Sequence, residues 1–284
     1  MSIELRRRQV PVGELSLHVV ESGDPDGRPF LLLHGWPESS RSWRPVMAAA
    51  GRDARLLAVD LPGIGRSTGS TGGSKRRIAA AVHTLIGELG LTGATLVGHD
   101  AGGMAAYAYL RRHDAVDRVV VMNTVLPGVA PWEQVLRNPH IWHFGLHAVP
   151  DLPELLVDGR QQAYFDHFRR VLSADPDRIT PGSRAEQAAA YRELPQLTAG
   201  FDLYRALAQD ARDNADSAAA GPVDTPLLYL RGTREPVDLD AYAAGLREAG
   251  VRALSTGLIE GGGHFMQEER PAEVWHAVRE FAES

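Results

Sequence analysis

Apolar and polar residues alternate over positions 10–20, and Gly13-Glu14 falls where the alternation can fold back, so the start of the chain is predicted to be a β-hairpin. The period then changes. Positions 30–33, 56–59, 94–97, 119–122 and 227–230 are short runs that are apolar throughout, as expected of parallel strands covered on both faces. Positions 78–89, 102–112, 239–249 and 271–281 read as helices. Apolar residues recur at helical spacing in the first, the second is rich in Ala and Tyr, and the last begins with proline. Strands alternating with helices predict a doubly wound, mostly parallel α/β sheet.

One stretch breaks the alternation. From about Leu126 to Gly221 no strand is predicted, but several helical segments rich in aromatic residues and histidines are. Turn signals bound it, Pro127-Gly128 at one end and Gly221-Pro222 at the other. Because the strand–helix pattern resumes afterwards, residues 127–221 are expected to form a helical cap inserted into a core made of 1–126 and 222–284, rather than an independent second domain. Residues 68–74 are rich in Gly and Ser and read as a flexible loop.

Composition narrows the function classes. A chain of 284 residues with 44% hydrophobic content can bury a large core. The net charge of -6 disfavours a nucleic-acid partner, and Arg6-Arg7-Arg8 is expected to lie on a solvated early strand. The absence of cysteine excludes disulfides, thiol catalysis and Cys-ligated zinc. No apolar run is long enough to span a bilayer, and the first residues lack the apolar stretch of a signal peptide, so a soluble cytoplasmic protein is expected.

The sharpest chemical signal is Gly98-His99-Asp100-Ala101-Gly102-Gly103, between an apolar strand and a small-residue helix. An abrupt strand-to-helix corner needs small neighbours and pushes its apex residue, here Asp100, above the sheet. The helix N-terminus behind it favours a carboxylate, and an N-capping Asp without chemistry is the alternative. A carboxylate attacking a carbonyl would make an anhydride, whereas attack on a tetrahedral carbon makes an ester that water can cleave. Asp100 therefore points to epoxides or carbon–halogen bonds.

Together with His34-Gly35-Trp36-Pro37, with Asp60-Leu61-Pro62-Gly63-Ile64-Gly65-Arg66-Ser67, and with Gly262-Gly263-His264-Phe265 followed by Glu268-Glu269-Arg270-Pro271, this corner resembles the α/β-hydrolase superfamily, and within it the epoxide hydrolases and dehalogenases. The resemblance covers essentially the whole chain, with the motifs in the family's order. It implies an α/β-hydrolase fold, Asp100 as nucleophile, His264 as the base that activates water, and the backbone N–H groups of Trp36 and Ala101 as oxyanion donors. The carboxylate that orients His264 follows one of two strands in the family. Asn123, after the first, cannot carry the charge; Glu235 in Arg231-Gly232-Thr233-Arg234-Glu235-Pro236 is the choice, with Asp238 as the fallback.

Epoxide hydrolases use two lid tyrosines over the leaving oxygen, and a bacterial subgroup uses a His and a Tyr; by resemblance His143 and Tyr204 take those places. Three departures bear on the reading. Ala101 stands where many relatives have Trp, Trp36 where haloalkane dehalogenases commonly have Asn, and His143 where most epoxide hydrolases have Tyr. The first two weaken a dehalogenase, whereas His143 also resembles a halide-pocket residue of fluoroacetate dehalogenases. The expected activity is therefore conversion of a small-molecule epoxide to a vicinal diol. A haloacid or haloalkane dehalogenase, or a non-catalytic ligand-binding protein of this fold, are the alternatives. Neither metal nor organic cofactor is expected, and the oligomeric state, homodimer included, stays open.

Overall fold

Eight strands form one sheet in the order β1-β2-β4-β3-β5-β6-β7-β8. They are β1 (Arg6–Val12), β2 (Leu15–Gly23), β3 (Pro29–Leu33), β4 (Arg55–Val59), β5 (Thr95–His99), β6 (Arg118–Met122), β7 (Leu227–Gly232) and β8 (Leu254–Ile259). The structure is a computed structural model and describes residues 4–52, 54–235 and 238–284. Pro236, the last residue of the acid-bearing motif, lies outside the described residues. Strand β2 pairs antiparallel with β1 and β4, and every other pairing is parallel.

The apolar runs become the central strands because both of their faces are covered. Leu31 and Leu33 of β3 point into one core with α2 (Lys75–Glu88) and α3 (Ala101–Leu110), while Phe30 and Leu32 point into a second core with α1 (Arg44–Ala50) and the C-terminal helix. The period of two along a strand thus feeds two helical layers. Strand β8 was not among the apolar runs. It is an edge strand, and most of its residues are exposed or half-buried, so it lacks the signature that marks the others.

Between β6 and β7 come seven α-helices and no strand among the described residues. These are α4 (Trp132–Leu136), α5 (Trp142–Ala148), α6 (Leu152–Val157), α7 (Gln161–Leu172), α8 (Pro181–Ala189), α9 (Leu194–Arg205) and α10 (Leu207–Ala219). The chain then adds α11 (Leu239–Glu248), α12 (Met266–Glu269) and α13 (Pro271–Glu283).

One detail differs from the expectations. Residues 68–74 are pinned rather than loose: Thr68 and Ser16 exchange backbone hydrogen bonds at 2.8 and 3.3 Å, the Gly73 backbone packs on Asp202, and Ser74 caps α2. Arg6-Arg7-Arg8 lies on the solvated edge strand β1 as expected, with Arg6 and Arg8 also reaching the buried Glu21 at 3.2 and 2.8 Å.

Candidate active site

The corner after β5 is built from close backbone contacts. A Cβ on Gly98 would lie 2.2 Å from the Gly102 carbonyl oxygen, and one on Gly102 would lie 2.5 Å from the carbonyl oxygens of Leu33 and His34. Only glycine allows this approach of strand, corner and helix. Asp100 sits at the apex with φ 50° and ψ -120°, a conformation that costs an L-residue energy and aims its side chain away from the sheet.

The loop after β3 meets this carboxylate. The Trp36 N–H donates to Asp100 Oδ1 at 2.9 Å, which is possible because Gly35 leaves the space beside the Asp100 Cβ empty. Ala101, the other expected donor, is the first residue of α3, but Asp100 makes no side-chain cap hydrogen bond with that helix. On the other carboxylate oxygen, His264 Nε2 stands 3.8 Å from Oδ2, too long for a direct hydrogen bond.

His264 is held at every polar atom but that one. Its Nδ1 is 2.8 Å from Glu235 Oε1. Its N–H donates to the Leu172 carbonyl at the end of α7. Its carbonyl accepts from Asn123 Nδ2 and His99 Nε2, both at 2.8 Å. Burial opposes charge on Glu235, but Arg231 and the hydrogen bond from His264 more than offset it, holding the carboxyl down at about 2. Asp238, the fallback, instead caps α11 by accepting from the Ala241 N–H.

Beneath the corner lies a buried polar network that sequence reading left unassigned. Glu38 Oε2 accepts from the Gly35 N–H at 3.0 Å and meets His99 Nδ1 at 2.8 Å. Burial disfavours charge on His99, yet Glu38 and Asp100 outweigh it and lift the imidazole to about 9, while Glu38 itself falls to about 2. His99 is therefore an imidazolium that donates to both Glu38 and the His264 carbonyl. The signal was present, since His99 lies within the Asp100 motif and Glu38 directly follows His34-Gly35-Trp36-Pro37. Asn123 is likewise structural: its amide also bonds the Gly263 carbonyl and the Gly232 N–H, so it ties β6 to β7 and to the histidine loop.

Above Asp100 a cavity of about 510 Å³ is lined by Trp36, His143, Phe144, Phe168, Tyr204 and Tyr242, with Glu235 and His264 at its floor. The His143 and Tyr204 rings lie 5.8 Å apart, centroid to centroid. Burial lowers His143 to about 4 and pushes the Tyr204 phenol well above its usual range, the nearby Asp100 charge adding to the latter. Both are thus neutral near pH 7 and able to donate a hydrogen. His147, given no role from sequence, packs under this pair and bonds Tyr164 Oη through Nε2 at 2.7 Å. The structure therefore brings together Asp100, His264, Glu235, Trp36, Ala101, His143 and Tyr204.

A family model described as the alpha/beta hydrolase fold matches residues 28–271. The chain belongs to this family. The hydrolase is 28% identical to the soluble epoxide hydrolase of Corynebacterium sp. (strain C12), over 99% of this chain and 98% of that one. A haloalkane dehalogenase of Psychrobacter cryohalolentis is 27% identical over 94% of this chain and 88% of its own. Among solved structures, the epoxide hydrolase CorEH superposes with a TM-score of 0.86 at 25% identity, covering 98% of both chains. The resemblance read from the motifs is borne out, and the α/β-hydrolase fold with it. No helix among the described residues is long and apolar enough to cross a membrane.

Proposed function

We propose that this hydrolase opens an epoxide to a vicinal diol through an ester on Asp100. The observation that carries the reading is a carboxylate at the strand–helix corner, faced across one cavity by two neutral hydrogen donors, His143 and Tyr204. With Oδ1 held by Trp36, Oδ2 is the oxygen free to attack a ring carbon. The ring C–O bond breaks, and its oxygen is protonated by Tyr204 while His143 donates a hydrogen bond. The Asp100 charge, one cause of the raised Tyr204 pKa, disappears as the ester forms, so the phenol becomes easier to ionise at the moment its proton is needed.

The 3.8 Å separation at Oδ2 leaves room for His264 to act through a water on the ester carbonyl. That base takes a proton from water, Glu235 stabilises the imidazolium, and the Trp36 N–H, helped by that of Ala101, stabilises the oxyanion. Collapse breaks the ester C–O bond: the departing alkoxide takes the proton held by His264, the hydroxyl proton left on the Asp100 carboxyl passes to the Tyr204 phenolate, and the diol leaves with carboxylate, imidazole and phenol restored. In this reading residues 127–221 are the cap that closes the cavity over a small-molecule epoxide, and the protein is cytoplasmic. The sequence relatives and CorEH support it by name.

The test is a single turnover in heavy-oxygen water. Unlabelled diol together with label in the Asp100 carboxylate is expected, and His264→Gln should accumulate the ester. Labelled diol from an unlabelled enzyme would overturn the route. Halide release is the second reading, because a haloalkane dehalogenase is among the relatives. Supplying an epoxide and a haloalkane in parallel decides between them.

A further inference from the structure

Arg231 is a buried cation inside the cavity that none of the motifs explains. It lies on β7, four residues before Glu235, and is 5% exposed. Its Nη2 is 3.0 Å from Glu235 Oε2, the carboxylate oxygen that His264 does not use. Its Nη1 donates to the Thr124 carbonyl at 3.0 Å and to Tyr229 Oη at 3.3 Å, and its guanidinium stacks 5.1 Å from the centroid of Tyr242 on α11. The fork is therefore fixed on three sides: by the loop after β6, by its own strand and by α11. The anchored planar cation stands against the second carboxylate oxygen as an ion pair at 3.0 Å without hydrogen-bond geometry, a position a flexible lysine would keep less well.

Resting on the epoxide reading above, we infer that Arg231 is a positioning residue for the second half-reaction: it fixes the Glu235 carboxylate against His264 and offsets part of its charge, so that the imidazole is free to take a proton from water. The logic is electrostatic. A glutamate bound only to His264 would draw a proton onto the imidazole and hold it there, whereas a guanidinium on the far oxygen weakens that pull. The other titratable and charged groups around the pair are Asp100 and the His99 imidazolium at the corner, His143 from α5, Tyr229 and Tyr242 beside Arg231, and Arg234 and Asp238 at the cavity wall. Only Arg231 pairs with Glu235 besides His264 among the described residues.

Steady-state and rapid-quench kinetics on trans-stilbene oxide test this with Arg231→Gln and Arg231→Lys, each checked by thermal unfolding. For Arg231→Gln, ester hydrolysis should slow about 10-fold or more while ester formation stays close to wild type. The ester then accumulates, and kcat and KM fall together. The acidic limb of the kcat profile should move up by roughly half to one pH unit, so that raising the pH recovers part of the loss. Arg231→Lys should keep the wild-type profile and regain part of the rate. A wild-type profile in folded Arg231→Gln, or an equal loss in both half-reactions at every pH, would overturn the inference. Failure of wild-type enzyme to form diol or ester would instead overturn the reading on which it rests.

Discussion

Asp100 and Tyr204 show how far single residues act through their surroundings. In the proposed reaction Tyr204 is the proton donor: its phenol is neutral at pH 7 already, burial and the Asp100 charge hold its proton more firmly, and burial keeps His143 neutral. Replacing Tyr204 by Phe should slow ester formation about 10²- to 10⁴-fold with little effect on ester hydrolysis, and His143→Phe should do so to a smaller degree. Rapid-quench measurement of the alkylated enzyme checks both. His147 allows a stability prediction. Burial, then His143 and Arg205, hold it down at about 2, against 6.5 for an unperturbed imidazole. Between those values the unfolded chain binds a proton that the folded one does not, so this residue makes the fold lose stability as pH falls below about 6.5. Urea unfolding of His147→Phe should therefore show about 1–2 kcal/mol less loss between roughly pH 7 and 5 than wild type. His99, raised to about 9, acts in the opposite sense: its contribution is complete below about 6.5 and is lost as pH rises through 9. None of these protonation states was legible in the sequence, since each depends on which charges the fold places nearby.

At the scale of elements, the segments between β6 and β7 are joined to the rest of the molecule by a few buried polar contacts. Lys75 at the start of α2 and Asp210 on α10 form an ion pair at 2.9 Å, each side chain 2% exposed, and Lys75 also donates to the Leu203 carbonyl on α9. Burial pulls Lys75 down and pushes Asp210 up, so neither charge is comfortable without the other. Lys75→Met alone should cost about 3–5 kcal/mol because it strands Asp210, and Lys75→Met with Asp210→Leu should recover most of that. Denaturant midpoints of the three proteins decide it. From α7, Arg169 reaches the Pro37 carbonyl at 3.2 Å, beside the Trp36 N–H that contacts Asp100. The helices here were predictable from their residues, but not their docking. Lys75 and Asp210 are 135 positions apart, and each reads as an ordinary surface charge.

For the whole molecule, the decisive property is a cavity formed where α4, α5, α7 and α9 face the loops that follow the central strands β3, β5, β6 and β7. Ala101 directly follows Asp100 at the start of α3, where a larger side chain would crowd the nucleophile, and the cavity volume of about 510 Å³ suits a two-ring epoxide. Wild type should therefore prefer trans-stilbene oxide to a three-carbon epoxide in kcat/KM, and Ala101→Trp should reverse that order about 10-fold or more while leaving the small substrate's kcat within a few-fold. Measured kcat/KM ratios for the two proteins settle the point.

The sequence by itself determined the parts whose cause is local. Continuous apolar runs predicted the central strands, the Gly-rich stretch around Asp100 predicted a tight corner, and the family resemblance of the motifs pointed to Asp100, His264 and either Glu235 or Asp238 as candidate site residues. The strand β8 escaped because an edge strand needs no apolar run. Only the tertiary structure decided the rest: that Glu235 rather than Asp238 reaches His264, that Arg231 stands behind it, that Asn123 supports instead of orienting, and that His99 carries a charge. The physical reason is range. Backbone shape and hydrophobic period are written in neighbouring residues, whereas hydrogen bonds and proton affinities depend on groups brought together from distant parts of the chain.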